Sequence, residues 1–180
     1  SEDGTEERSY PYGNTFAHVV GYDTNGKSGL ESEANFQLLS SHEFFLNQIR
    51  NEFMGTKNTG DSVVSTLSAD LQTTAYNSLG DRRGAVVALE PSTGKILAMV
   101  SKPDFDPNTI SENWDSLVND ETNSSLLNRA TMGQYPPGST FKVVTALDYF
   151  RTHGSFNGFS FDCKGSITKE GHTIQCYNGN

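Results

Sequence analysis

Apolar positions fall into three kinds of pattern along the chain. Between Ser68 and Gly80, Leu71, Ala75 and Leu79 recur at i, i+4 and i+8, the spacing of one helix face. Ser68 stands where an N-cap serine belongs and Gly80 where a C-cap glycine belongs, so a helix is predicted over Ala69–Leu79. From Gly84 to Glu90 and from Lys95 to Ser101 the apolar residues run almost unbroken at strand length, and Pro91-Ser92-Thr93-Gly94 between them suits a tight reversal. This predicts a buried β-hairpin packed on the helix. The segment Phe141 to Phe150 follows the stiff Tyr135-Pro136-Pro137-Gly138 and ends at His153-Gly154. Phe141, Val143, Val144, Ala146, Leu147, Tyr149 and Phe150 cover most of its sides, the pattern of a buried helix.

The remaining stretches are less regular. Residues 1–59 carry short apolar runs cut by Tyr10-Pro11-Tyr12-Gly13, Asn25-Gly26 and Asn58-Thr59-Gly60, which reads as a small or extended module. Within it Leu38, Phe44, Phe45, Ile49 and Phe53 fit either a short helix or extended arms. Residues 104–128 are rich in Asp, Asn, Ser and Glu, with Trp114, Leu117, Val118, Leu126 and Leu127 as anchors, and are expected to form a long irregular connection. Near the C-terminus, Cys163 and Cys176 are equidistant from Lys169-Glu170, the expected turn of a second hairpin. On a regular hairpin they would face each other at about 4.5 to 5.5 Å between Cα atoms, within reach of a disulfide; two free thiols fit the sequence equally well. The fold class is α+β.

Composition narrows the partners. The 180 residues carry 22 acidic and 13 basic side chains, a formal charge of -9, and no basic stripe. Affinity for a phosphate backbone comes largely from Lys and Arg, so nucleic acid and anionic membrane surfaces are not expected partners. No run approaches the roughly 20 apolar residues of a membrane span, and Ser1–Glu7 has neither a basic flank nor an apolar core of a signal sequence. Any membrane attachment would therefore use an anchor absent from this chain. The cysteines lack metal-site spacing, and no cofactor is expected.

The sharpest candidate for chemistry is Ser139-Thr140-Phe141-Lys142. A serine hydroxyl needs an adjacent base, and a lysine serves when burial or neighbouring positive charge favours its neutral form. Three residues along a helix put Ser139 and Lys142 on one face, and a helix N-terminus favours developing negative charge. The plain alternative is an N-cap serine beside a lysine that reaches into solvent.

The wider context points one way. Tyr135-Pro136-Pro137-Gly138-Ser139-Thr140-Phe141-Lys142, preceded by Asn128-Arg129-Ala130, resembles the nucleophile segment of the penicillin-binding proteins, serine D,D-transpeptidases that cross-link bacterial cell wall. Residues 84–103, with Asp104-Phe105-Asp106-Pro107-Asn108 after them, are similar to the first β-hairpin of that fold, and residues 61–72 to the strand and helix before it. Arg8-Ser9-Tyr10-Pro11-Tyr12-Gly13, His18-Val19-Val20-Gly21-Tyr22 and Gly26-Lys27-Ser28-Gly29-Leu30-Glu31 are similar to the non-catalytic pedestal of class B, monofunctional members. The resemblance runs from Arg8 to about Cys176. It implies a pedestal module over residues 1–59 and the N-terminal part of a transpeptidase domain over 60–180. It further implies a Ser139 nucleophile, a Lys142 base, stem-peptide and β-lactam substrates, other cell-wall synthesis or division proteins as partners, and a place outside the cytoplasm for an anchored parent protein.

The family also needs Ser-x-Asn and Lys-Thr/Ser-Gly motifs after the nucleophile, and residues 143–180 contain neither. Ser111-Glu112-Asn113 and Lys27-Ser28-Gly29 match by letters but precede Ser139, so the roles are not carried onto them. The expectation is a fragment, inactive by itself. Two other readings stay open here. One is a scaffold or partner-binding segment with a silent Ser139. The other is a nucleotide-binding loop, because Gly21-Tyr22-Asp23-Thr24-Asn25-Gly26-Lys27-Ser28 satisfies the P-loop pattern; against it, Asp23 would set a carboxylate beside the phosphates. His18, His42, His153 and His172 show no paired spacing.

Overall fold

The computed structural model describes residues 8–42, 44–55 and 60–176. The acidic Ser1–Glu7 and the Asn58-Thr59 part of the expected break lie outside the described residues. The chain divides into two compact units, one ending at Gln134 and one beginning at Tyr135.

The first unit opens with a 3-10 turn, Gly13–Phe16, continued by α1 (Ala17–Val20), α2 (Gly29–Glu33), α3 (Asn35–Leu39) and α4 (Phe45–Phe53). The ambiguous 38–53 stretch is thus helical in two short pieces. α5 spans Ala69–Leu79, as its caps predict: the Ser68 hydroxyl accepts the Leu71 N–H at 3.3 Å, and Gly80 leaves the helix at φ 55°. β1 (Gly84–Glu90) and β2 (Lys95–Lys102) pair antiparallel from Gly84↔Lys102 to Glu90↔Lys95, with a register shift between Ala88 and Leu89. The Pro91–Gly94 reversal closes on the Glu90 carbonyl, which accepts the Gly94 N–H at 2.8 Å. Residues 61–68 run beside β2 without forming a ladder; the Thr66 hydroxyl donates to the Ile96 carbonyl and the Ser68 N–H to the Leu97 carbonyl.

One core forms where α5 meets the hairpin: Ala75, Ala98 and Val100 are buried, with Tyr76, Leu79, Val86 and Ala88 packed around them. The expected stripe of α5 holds at Ala75 and Leu79 but not at its first position. Leu71 is exposed while Gln72 is fully buried. Burying an amide is costly unless its hydrogen bonds are met, and here they are. The Gln72 amide nitrogen donates to the Met99 and Thr15 carbonyls, each at 2.8 Å, and its oxygen accepts the Met99 N–H at 2.8 Å. Gln72 thus takes the place of a neighbouring strand for one residue of β2 and ties the N-terminal turn to it.

The second core corrects the expectation of an irregular connection over 104–128. Ile110–Val118 is a helix, α6. Ile110, Trp114, Leu117 and Val118 are in fact spaced i, i+4, i+7 and i+8, a stripe obscured by the polar residues between them. Ile110 is buried with Ala17 and Phe105, and Tyr22, Trp114, Leu117 and Leu126 pack on them. The rings meet edge to face: Tyr22 lies 5.7 Å from Phe105 and 5.6 Å from Trp114, a favoured aromatic arrangement. α7 (Arg129–Met132) follows, capped by Asn128, whose side-chain oxygen accepts the Ala130 N–H at 3.0 Å.

The second unit holds a 3-10 turn over Gly138–Phe141, α8 (Lys142–His153), β3 (Ser166–Lys169) and β4 (His172–Gln175). α8 ends on Gly154 at φ 75°, whose N–H reaches the Phe150 carbonyl at 2.7 Å, a left-handed glycine stop. Lys169↔His172 is the last rung of the β3–β4 ladder. The turn is therefore Glu170-Gly171, one residue later than expected, and both residues have positive φ, as a two-residue hairpin turn requires.

Candidate active site

Ser139 sits inside the 3-10 turn and Lys142 is the first residue of α8. The two are joined through the backbone: the Lys142 N–H donates to the Ser139 carbonyl, the i to i+3 bond of a 3-10 turn. Thr140 braces the turn, its N–H and hydroxyl both reaching the Pro137 carbonyl. Ser139 thus lies one turn ahead of the α-helix instead of within its first turn. Among the described residues no hydrogen bond joins the Ser139 and Lys142 side chains.

The expectation of a buried helix is corrected. No residue of α8 is buried, Ser139 and Lys142 are both exposed, and Val143, Val144, Leu147 and Phe150 stand open. An apolar helix becomes buried only when other elements pack on it, and within the second unit only one side is occupied. There Tyr149 stacks on His153 at 4.1 Å and meets Phe156 at 5.9 Å and Phe159 at 5.0 Å between ring centres. Phe156, Phe159 and Phe161 all keep exposed faces. The His153 ring contacts the Tyr149 carbonyl at 3.0 Å, in the last turn, where a histidine complements the helix end. Lys142, Thr145, Ala146, Tyr149, Phe156 and Phe159 line a groove of about 510 Å³. The lysine therefore stands in the wall of an otherwise apolar trough.

A larger groove, about 680 Å³, lies wholly in the first unit, with Val19, Leu30, Val64, Ile96 and Met132 in its walls. It contains no lysine, and its histidine, His18, is buried and engaged with the Pro103 carbonyl at 3.3 Å. The candidate site is the Ser139–Lys142 turn; the smaller groove reaches it through Lys142, and Ser139 is not among its lining residues.

The P-loop reading fails on geometry. Such a loop joins a strand to a helix, whereas Gly21–Ser28 follows helix α1. Lys27 pairs with Asp23, and Asp23 also with Arg8 at 3.1 Å. Arg8 in turn bonds Glu31, chiefly through the side-chain contact that raises its pKa. The lysine that would meet a phosphate is held in an ion network. Ser111-Glu112-Asn113 lies in α6 and Lys27-Ser28-Gly29 runs into α2, both in the first unit.

The residues that reading missed are structural. Arg129 is buried, and its guanidinium donates to the Asn123 and Ser124 carbonyls while its N–H donates to the Ser101 hydroxyl at 2.9 Å. Asn128 caps α7 and also donates to the His18 carbonyl at 3.2 Å. With Gln72 they pin loop carbonyls that would otherwise be buried without partners. Nothing in residue type or spacing singled them out; only the resemblance touched Asn128-Arg129.

At the base of the β3–β4 hairpin the Cys176 N–H donates to the Gly165 carbonyl at 2.8 Å, so Gly165, not Cys163, is the residue opposite Cys176. The sulfurs of Cys163 and Cys176 nonetheless come within 3.0 Å, as free thiols.

Comparison with known proteins accounts for the arrangement. The family described as "Penicillin binding protein transpeptidase domain" matches residues 84–180, and "Penicillin binding protein A dimerisation domain" matches residues 1–63. A peptidoglycan D,D-transpeptidase PbpA of Mycolicibacterium smegmatis is 42% identical over 154 residues, 77% of this chain and 31% of the relative. MrdA of Escherichia coli, with the same activity in its name, is 31% identical over 180 residues, 80% of this chain and 28% of the relative. Among solved structures, the D,D-transpeptidase domain of a peptidoglycan glycosyltransferase from Eggerthella lenta superposes with a TM-score of 0.84 at 31% identity, over 100% of this chain and 40% of that one. The penicillin G acyl-enzyme of penicillin-binding protein A from M. tuberculosis gives 0.81 at 31% identity, over 95% and 43%. The chain belongs to the penicillin-binding protein transpeptidase family. It spans about a third of the length of these curated relatives, and among the described residues no helix is long and apolar enough to cross a membrane.

Proposed function

We propose that the protein is a peptidoglycan D,D-transpeptidase in which Ser139 is the nucleophile and Lys142 its base. The observation that carries the reading is the pair's closeness along the chain, Ser139 in the 3-10 turn and Lys142 opening α8 with its N–H on the Ser139 carbonyl, within the residues matched to the transpeptidase domain. The hydroxyl oxygen of Ser139 attacks the penultimate D-Ala carbonyl of a stem peptide as the Lys142 amine takes its proton. The peptide bond then breaks, the terminal D-Ala leaves with a proton, and an amine of a second stem peptide takes the acyl group from Ser139. The Ser139 N–H supplies one donor to the oxyanion. Opening of a β-lactam ring by the same serine gives a stable acyl-enzyme, the state named for the M. tuberculosis relative.

A lysine acts as a base where its surroundings disfavour the charged form, and α8 is open here. The reading therefore assigns the dry surroundings of Lys142 to the whole protein, in which further elements pack on the apolar sides of α8. It places residues 1–59 in a pedestal and 60–180 in the transpeptidase domain, on the outer face of a bacterial membrane, anchored by a segment other than those described.

Intact mass after incubation with benzylpenicillin tests this on the full-length protein and on this chain, each beside Ser139→Ala. One adduct on the full-length protein, lost in Ser139→Ala, is expected; no adduct there overturns the assignment. An adduct on this chain alone would mean that acylation needs neither Ser-x-Asn nor Lys-Thr-Gly.

A further inference from the structure

We propose that Cys163 and Cys176 form a disulfide that closes the open end of the β3–β4 hairpin, with Cys163 attacking first and Cys176 resolving. The inference stands on the hairpin and does not depend on the transpeptidase reading.

Position comes first. The ladder fixes Ser166 opposite Gln175, and the bond from the Cys176 N–H to the Gly165 carbonyl extends it by one step. Cys163 is two residues beyond Gly165, and its side chain turns back so that the sulfurs are in contact at 3.0 Å. The closeness is built by backbone pairing and not by a chance meeting of two loops. These are the only two cysteines in the chain, so no third thiol competes within it. Cys163 is exposed and Cys176 half-buried, which leaves Cys163 open to an oxidant while Cys176 waits behind it.

The Cys163 sulfur touches the Cys176 sulfur and accepts from the Gly165 N–H, and these contacts, the first more than the second, lower its pKa. Cys176 moves the other way, chiefly through the same contact with Cys163, with the nearby Lys142 opposing that rise. The thiolate is the attacking species in thiol–disulfide exchange.

The oxidant is a disulfide, either a small molecule such as oxidised glutathione or a thiol–disulfide oxidoreductase. The Cys163 thiolate attacks one sulfur of the oxidant, the oxidant's S–S bond breaks, and its other sulfur leaves as a thiolate. Cys176 then gives up its proton to that thiolate or to water and attacks the Cys163 sulfur. The second half of the oxidant leaves with its electron pair. The protein has lost two protons and two electrons, and the oxidant has gained both electrons and, directly or through water, both protons. Such a bond persists in an oxidising compartment, which agrees with a protein that works outside the cytoplasm.

The test uses the full chain, reduced, freed of reductant, incubated with oxidised glutathione, and then blocked with N-ethylmaleimide before intact-mass measurement. The wild-type chain is expected to be lighter by two hydrogens, to carry neither glutathione nor maleimide, and to give a linked Cys163–Cys176 peptide after non-reducing digestion. Cys163→Ser and Cys176→Ser should each stop at one bound glutathione, with Cys176→Ser acquiring it several-fold faster. A wild-type chain that carries two maleimides or two glutathiones while the single variants react, or that links between molecules, overturns the pair. Equal or inverted rates in the two variants overturn the order of attack.

Discussion

The two units of the chain differ in how far their polar groups are brought inside, while both leave large apolar side chains exposed, Phe36, Phe53 and Val64 among them in the first. In the first, polar side chains go inside and are satisfied: Gln72 occupies both backbone groups of Met99, Arg129 holds the 123–124 carbonyls, and Asn128 caps one helix while bonding to another segment. In the second, apolar side chains stay outside, and the helix that bears Ser139 and Lys142 at its start shows Val143, Val144 and Leu147 to solvent. Buried polar groups paired in this way resist local change; one Asp104 carboxylate oxygen, in the same unit, is buried without a hydrogen-bond partner among the described residues. A helix with open apolar sides invites packing by something else. The first unit is held by buried polar braces around two small cores; the second carries Ser139 and Lys142 at the start of a helix with open apolar sides.

That contrast can be broken most sharply by core substitutions in the first unit. Ile110→Ala is expected to cost about 3 kcal/mol, since it empties a fully buried site among Ala17 and Phe105. Trp114, the only tryptophan, lies beside that core and reports its unfolding in urea; an unchanged midpoint would deny that α6 is anchored there. Gln72→Ala should cost about 2 kcal/mol or somewhat more, because it strands buried main-chain groups of Met99 and Thr15. The same urea curve reads it, and a cost near zero would mean that water replaces the amide.

A smaller effect is expected from pH. His18 is buried against Phe105 at 5.1 Å, and burial lowers its pKa, with the nearby Arg129 acting in the same direction and the Pro103 carbonyl and Asp104 against it. A histidine that is harder to protonate when folded contributes stability that is whole above its ordinary value of about 6.5. This stability is lost as pH falls toward the lowered value. The urea midpoint of the wild type should therefore drop more between pH 7.5 and pH 5 than that of His18→Gln; parallel curves would remove His18 from the account. Least of all should follow from Leu147→Ala, for which a change within about 0.5 kcal/mol is expected in this chain because the side chain already faces solvent. A large loss there would show that α8 is covered after all, and would erase the difference between the units.

Where local chemistry dictates the element, reading and structure agree. The Ser68 and Gly80 caps bound α5 to the residue, and the Pro91–Gly94 reversal sets the first hairpin. The departures each have a local cause. α6 was hidden because its stripe is diluted by acidic and amide side chains, and only the contact of Ile110 with Ala17 and Phe105 makes it pay to fold. The second hairpin turned one residue later because Gly171 tolerates positive φ more readily than Lys169.

By itself the sequence determined the family, through Tyr135–Lys142 and the hairpin before it, and the identity of the two residues proposed for catalysis. These are short-range facts, carried by residue types at fixed spacing. Only the tertiary structure decided that Gln72 and not Leu71 faces the core, that Arg129 is a buried brace, that the two cysteine sulfurs touch, and that the apolar sides of α8 are open. Burial belongs to a residue's neighbours in space, and periodicity along a chain cannot say whether those neighbours are there.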